Sequence, residues 1–225
     1  MTPPSAGPIA VTVLVVAKAP VPGLAKTRLA ATVGERVAAD IAAAALLDTL
    51  DAVSQTPVTH RVVAMTGDLE QSCRATEIRE RLAAFTVIDQ RGDGFADRLA
   101  NAHADAAAAT AQPVLQIGMD TPQVRPELLA DCARQLRRVP ALLGMACDGG
   151  WWVLGVADAA TAECVRDVPM SQPDTGVLTL GALKRSGISV HLVDELHDVD
   201  TVDDIPSVRA ACRSSSRFAQ VTQGE

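Results

Sequence analysis

The sequence predicts a single three-layer α/β domain, in which a mostly parallel sheet is covered by helices on both faces and gains one antiparallel strand through a hairpin. Three observations predict it. Short aliphatic runs alternate with helix-length segments, the rhythm of βαβ units. The first run, Val11–Ala17 (VTVLVVA), is continuously apolar, as expected of a strand buried on both faces. Further on, two apolar runs flank Asp148-Gly149-Gly150, and Asp-Gly between apolar runs signals a hairpin.

Size and composition agree with one domain. A chain of 225 residues buries roughly 70% of its unfolded surface and needs no staples. Apolar residues make up 48%, yet there are only two Trp, three Phe and no Tyr, so the core must be aliphatic. A net charge of −7 sets aside a general nucleic-acid binder. It leaves room for a nucleotide held by a few local cations. Cys73, Cys132, Cys147, Cys164 and Cys212 are scattered and never paired as C-x-x-C, which reads as reduced thiols of a cytoplasmic protein. The four histidines show no metal-ligand spacing. Ile9–Ala17 is too short to span a bilayer, and no basic signal-peptide flank precedes it, so no integral membrane segment is expected. The polar, small-residue stretches 1–8 and 214–225 are expected to be disordered tails around a domain at 9–213.

The elements follow in order. After the first strand comes a loop over Lys18–Ala31. Thr32-Val33-Gly34-Glu35 has the form of a capping box and predicts a helix running to about Val53, with Val37, Ile41, Ala45 and Leu50 as its apolar stripe. Arg61–Met65 is a strand, 68–82 is helix-prone, and Phe85–Ile88 is a short strand. Ala96–Thr110 is a helix, Val114–Met119 a buried strand and Pro126–Arg137 its helix. The hairpin strands are Ala141–Met145 and Trp151–Val156; Asp174–Ser186 is helical, Ile188–Leu192 the last strand and Val202–Cys212 the last helix.

Sheets of this kind place ligands at the carboxyl ends of their strands. Three loops there carry candidate chemistry. The first, Lys18 to Leu29, holds Lys18, Gly23, Lys26 and Arg28 between a strand and a helix. Backbone N–H groups and cations in such a turn suit a polyphosphate, although a solvated basic loop has the same composition. It is not a Walker A loop, because Ala25 stands where a glycine would precede the lysine. The second is Gly118-Met119-Asp120-Thr121-Pro122. A carboxylate at the end of a buried strand is stabilised by a metal or by capping a helix, and the helix at Pro126 starts too far on for a direct cap. Mg²⁺ takes one or two carboxylates plus phosphate oxygens and water. In the third, His197-Asp198-Val199-Asp200-Thr201-Val202-Asp203-Asp204, the last two aspartates suit a helix N-terminus, while Asp198 and Asp200 are placed to share a metal with Asp120. In the hairpin, Gly149 and Gly150 serve the turn or admit a ligand close to the backbone. Of the tandem Trp151 and Trp152, one ring faces each side of the strand, one for the core and one for a pocket.

Taken together, A-K-A-P-V-P-G-x-x-K-T-R-L, G-x-D-T-P, D-G-G-W-W-x-L-G, Met170-Ser171-Gln172-Pro173-Asp174-Thr175 and D-V-D-T-x-x-D resemble, in this order, a bacterial family of GT-A-type glycosyltransferases. Many of its members carry the name arsenosugar biosynthesis glycosyltransferase. The resemblance implies a Rossmann-like nucleotide-diphospho-sugar transferase fold. The opening is also similar to that of the guanylyltransferases that act on phosphoenolpyruvate or phospholactate. It implies Mg²⁺ or Mn²⁺ on Asp120, with Asp200 and then Asp198 as further ligands. Phosphate contacts fall to Lys26 and Arg28, with Lys18 and Gly23 in the same loop, and the acceptor side to Gly149, Gly150 and Trp151. This chain departs from the pattern at Asp120-Thr121-Pro122, where GT-A enzymes have D-x-D, and at Trp151, where the family has Tyr. The nucleotidyltransferase G-x-G-T-x-R loop is replaced as well.

Three functions are therefore expected in descending order. The first is glycosyl transfer from a nucleotide sugar to a small-molecule acceptor, with Asp120 on the metal and Asp148 as the candidate general base. The second is nucleotidyl transfer from an NTP to a small phosphorylated acid with release of pyrophosphate. The third is an inert nucleotide-sugar-binding protein.

Overall fold

The structure, a computed structural model, describes residues 7–224. Seven strands form one sheet in the order β3-β2-β1-β4-β6-β5-β7. The central strand β1 (Ile9–Lys18) pairs in parallel with β2 (Val58–Thr66) on one side and β4 (Val114–Gly118) on the other. β2 carries β3 (Thr86–Asp89) in parallel. Beyond β4, β6 (Trp151–Val156) runs antiparallel to both β4 and β5 (Ala141–Ala146), and β5 pairs in parallel with β7 (Val190–Leu196). The hairpin strand expected at Asp148-Gly149-Gly150 is thus the one reversed strand.

Because β1 is covered on both faces, its seven residues Val11–Ala17 are all buried. Alternate residues serve different cores. Val11, Val13 and Val15 pack with α2 (Glu35–Gln55), α3 (Ala75–Leu82) and α5 (Pro126–Leu136). Leu14 and Val16 face α4 (Phe95–Thr110) and α6 (Thr175–Arg185), together with the 3-10 stretch Ala159–Asp167. Small residues on α2, Ala42 and Ala43 among them, let that helix lie close to the sheet, with Leu46 and Leu47 filling the core beside them.

Two local expectations are corrected. Thr32 does not cap a helix. The supposed loop contains a helix of its own, α1 (Thr27–Val33), and Gly34, with φ of +87°, turns the chain into α2 at Glu35. A capping box does occur, but at Thr201–Asp204, ahead of α7 (Ile205–Ala211).

The described part of the segment 214–225 is also not a disordered tail. Arg217–Val221 is a helix, α8, and Phe218 is fully buried against Leu29, Ile41, Ala45, Ile205 and Val208. Asp48 on α2 accepts the backbone N–H groups of Arg217 (3.1 Å) and Phe218 (2.9 Å). The Arg217 guanidinium reaches Glu77 (2.6 Å) and Asp51 (2.7 Å). Polar composition hid this, because one aromatic and one arginine carry most of the anchoring, with Thr222 and Ala219 buried beside them. The expected tail at 1–8 lies largely outside the described residues.

Under the middle of β4, His103 of α4 is fully buried, and its Nδ1 lies 3.2 Å from Gln116 Oε1. Burial pushes the imidazole pKa down to about 4, with the Gln116 contact opposing only in part. The folded state therefore holds His103 neutral. Its contribution to stability is fully present above the unfolded value near 6.5 and is lost as pH falls toward 4.

Two measurements follow from these contacts. Phe218→Ala should lower the unfolding free energy by roughly 3–5 kcal/mol in urea titration, as for other buried aromatic truncations; a change below about 1 kcal/mol would restore the loose-tail reading. Stability should also fall by up to about 3 kcal/mol between pH 6.5 and 4 through His103 alone. Comparison of wild type with His103→Leu isolates it: the variant's acid slope should be shallower over that window, and equal slopes would contradict a neutral buried imidazole.

Candidate active site

Strand polarity gathers the chemistry at one edge. β1, β4, β5 and β7 run the same way, so their carboxyl ends lie together, and the reversed β6 brings its amino end to the same edge. Val16 is in register with Gly118, which sets the segment after Lys18 beside Asp120 at the point where the chain order changes direction. A cavity of about 680 Å³ opens here. Its lining includes Lys18, Lys26, Arg28, Asp120, Asp148, Gly150, Trp151, Asp198 and Asp200.

Lys26 is the centre of the site. It sits at the N-cap of α1 in a left-handed conformation (φ 49°), and its side chain is 12% exposed. Its ammonium lies 2.7 Å from Asp120 Oδ2. Burial works to lower the Lys26 pKa, but Asp120, with Asp200 and Asp198 behind it, holds it above the usual lysine value. Arg28, 68% exposed, reaches Asp200 Oδ2 at 2.5 Å. Asp120 Oδ1 is buried and has no hydrogen-bond partner, as do Thr121 Oγ1 and Gln123 Oε1 beside it. Burial first, then the neighbouring charge of Asp148, pushes the Asp198 carboxyl up to about 6, against the pull of Lys26. Asp204 moves the other way. Its burial is outweighed by the N–H groups of Thr201 and Asp200 and by the Thr201 hydroxyl, all of which it accepts, so it stays below the usual range.

Other expected residues have different duties. Lys18 lines the cavity, but its ammonium donates to the Leu24 carbonyl (2.7 Å) and pins the loop in shape. Gly23, with φ of +77°, makes the turn; a Cβ there would meet the Glu35 carboxylate at 3.2 Å. It is not among the cavity's lining residues. Asp148 Oδ1 accepts the Gly150 N–H at 2.7 Å, which closes the hairpin turn and leaves its other oxygen free of that bond. Gly149 is required by contact as well as by φ (+91°): a Cβ would lie 1.8 Å from the Pro173 carbonyl oxygen. Its own carbonyl accepts the Gly176 N–H at 2.8 Å. The two tryptophans divide as expected: Trp152 is buried and donates Nε1–H to the Asp194 carbonyl (2.8 Å), while half-buried Trp151 packs on the opposite face, against the core beneath α4 and α6.

The segment Met170–Thr175, which the sequence marked as part of the family resemblance without a role, closes one side of the cavity, docked on the hairpin through Gly149 and Gly176. One contribution was not legible beforehand. Gln90, Phe95 and Arg98 form the opposite wall after β3. Gln90 Nε2 donates to the carbonyls of Ala17 (2.8 Å) and Ala64 (2.9 Å), and this ties the ends of the strands together.

Three carboxylates from two loops thus meet two cations, and the arrangement can hold a polyanion, a divalent cation, or both. Among the described residues no three His, Cys, Asp or Glu side chains converge closely enough to hold a metal by themselves. The unpartnered Asp120 Oδ1 nevertheless fits an ion that takes one or two carboxylates and completes its shell from phosphate and water.

Known proteins bear on this site. Residues 49–172 match the family described as uncharacterized proteins conserved in bacteria, DUF2064, and the chain belongs to it. No protein of curated function matches the chain in sequence. Among solved structures, one from Desulfovibrio desulfuricans G20, provisionally named a nucleotide-diphospho-sugar transferase, shares 24% identity over 93% of both chains with a TM-score of 0.80. The CMP:2-keto-3-deoxy-manno-octonic acid synthetase complexed with CTP shares 15% identity over 89% of this chain and 97% of its own, with a TM-score of 0.56. Rv0371c of Mycobacterium tuberculosis H37Rv, solved with manganese, shares 20% identity over 88% and 97%, with a TM-score of 0.54. The fold is therefore that of nucleotide-diphospho-sugar transferases and cytidylyltransferases. Among the described residues no helix is long and apolar enough to cross a membrane.

Gly149→Ala should lower thermal stability by several degrees and release the 170–175 segment, read as faster amide exchange there than in β1. Unchanged exchange in that segment would contradict the docking contact.

Proposed function

We propose that this protein is a transferase that binds a nucleotide-activated donor through its phosphates, and that the group it moves is a sugar carried by a nucleoside diphosphate. The observation that carries the reading is the buried Lys26 ammonium held 2.7 Å from Asp120 at the topological switch point, with the second Asp120 oxygen unpartnered. A buried cation and a half-satisfied carboxylate are costly to maintain without a ligand that uses both.

Lys26 and Arg28 bind the donor's diphosphate and stabilise the charge that grows on it as the bond to the sugar breaks. Asp120, assisted by Asp200, holds a divalent cation, which when bound supplies Lewis-acid charge to the same diphosphate. Asp198, with its carboxyl raised to about 6, and Asp148 next to it are the groups suited to accept the acceptor's proton near neutral pH. Gly150, at the cavity wall, lets a small-molecule acceptor approach the backbone, Gly149 beside it holds the 170–175 segment in place, and Trp151 gives the acceptor an apolar surface. The name of the Desulfovibrio relative supports the sugar reading. The CTP complex of the synthetase supports a second one, nucleotidyl transfer with pyrophosphate leaving, for which the same cations and Asp120 would serve.

The test separates the two. The protein is incubated with Mg²⁺ or Mn²⁺, a set of small hydroxylated compounds and phosphorylated acids as acceptors, and a panel of UDP-, GDP-, ADP- and dTDP-sugars or the four NTPs, and the products are resolved. Release of a nucleoside diphosphate is expected. Asp120→Asn should slow it by roughly 10²–10³-fold, the scale of losing one charge-stabilising group. Pyrophosphate release from an NTP would move the assignment to the second reading. Neither product from any pair would overturn both.

A further inference from the structure

We propose that Lys26 is an internal stand-in for the divalent cation: without nucleotide its ammonium occupies the acidic cluster, and it leaves only when donor phosphates draw it away. This rests on the reading of the site given under Proposed function and adds an order of events to it. The ammonium contacts Asp120 directly at 2.7 Å, and Asp198 and Asp200 are the other carboxylates that act on it. These three are the carboxylates that the sequence assigned to a metal. Arg28 does the same for the outer carboxylate, 2.5 Å from Asp200 Oδ2. Each cation suited to phosphate is therefore already spent on a carboxylate suited to metal.

The consequence is a coupled exchange. A divalent ion approaching the nucleotide-free site meets a buried ammonium that repels it and occupies its best ligand. Donor phosphates offer Lys26 and Arg28 a different anionic partner, which frees Asp120 and Asp200 at the moment the phosphates also bring oxygens to complete the metal's shell. Metal and nucleotide then bind with positive coupling, and by linkage each strengthens the other by the same factor. Lys26 reaches the cluster from the N-cap of the seven-residue helix α1, in a left-handed backbone conformation. Asp120 Oδ1, buried and unpartnered, is the remaining acceptor that a lysine cannot satisfy from the other oxygen.

The readout is Mn²⁺ binding, followed by electron paramagnetic resonance of the free aqueous ion, with the full chain and no nucleotide present. Lys26→Met should bind Mn²⁺ at least 10-fold more tightly than wild type. Lys26→Arg, which keeps the charge, should bind no more tightly than wild type. The double variant Lys26→Met/Asp120→Asn should lose the gain, which locates it at this cluster. Circular dichroism melts confirm that each variant is folded. If Lys26→Met binds Mn²⁺ no more tightly than wild type, or if Lys26→Arg gains as much, the stand-in role is overturned, whatever the nucleotide results. In a second arm, Mn²⁺ affinity of wild type is measured with CTP, GTP, UDP-glucose or GDP-mannose. If Lys26→Met gains Mn²⁺ affinity but no nucleotide binds wild type, the stand-in role survives and the proposed transferase function fails.

Discussion

A buried ammonium must be answered by a carboxylate at contact distance, and in this protein that requirement links parts of the chain far apart in sequence. Lys26 comes from the loop after β1, Asp120 from the end of β4, and Asp198 and Asp200 from the segment after β7. None can shift alone without leaving a charge unpaired in a poorly solvated place. The parallel register of β1 with β4 is therefore not only a matter of sheet pairing; it fixes which carboxylate meets which cation. A slip of one residue on either strand would turn Val15 and Ile117 to the wrong face and move Asp120 out of reach.

The reversed strand β6 is the second structural requirement. Were it parallel, its amino end, with Gly150 and Trp151, would lie at the opposite edge of the sheet. Its antiparallel course brings Asp148, Gly150 and Trp151 to the cavity. Gly149 then serves as a docking surface rather than only a turn residue, because the 170–175 segment packs where a side chain would be. That side of the cavity is thus assembled from two segments whose contact depends on two missing Cβ atoms, at Gly149 and Gly176.

The strands and the three loops at their carboxyl ends were legible in the sequence for a clear reason. A strand buried on both faces leaves a continuous aliphatic run, and functional loops interrupt it with charges and glycines. The split of Trp151 and Trp152 follows from the period of two. What escaped notice depends on tertiary contacts. α1 lies in a segment whose prolines and glycine read as loop, and Thr32 imitated a cap while sitting inside that helix. α8 rests on one buried phenylalanine and one arginine network, too sparse for a periodic signal. The wall formed by Gln90, Phe95 and Arg98 depends on where β3 ends beside β2, which no local pattern encodes. Gly23 and Lys18 illustrate the converse: their residue types suggested phosphate contact, whereas the structure gives Gly23 to the turn and ties the Lys18 ammonium to the loop's own carbonyl.

On the proposed reading, the nucleotide sits in the cavity at the carboxyl ends of β1 and β4. Hydrogen exchange resolved along the chain distinguishes the two depressions, comparing the free protein with protein saturated by Mg²⁺ and the nucleotide that binds best. Exchange should slow in the loops around Lys26, Asp120, Gly150, Gln172 and Asp200, with the surface around Arg36, Asp40 and Arg74 unchanged. Protection confined to that surface, where a second depression of about 550 Å³ lies, or protection that leaves the Lys26 and Asp120 loops untouched, would contradict it.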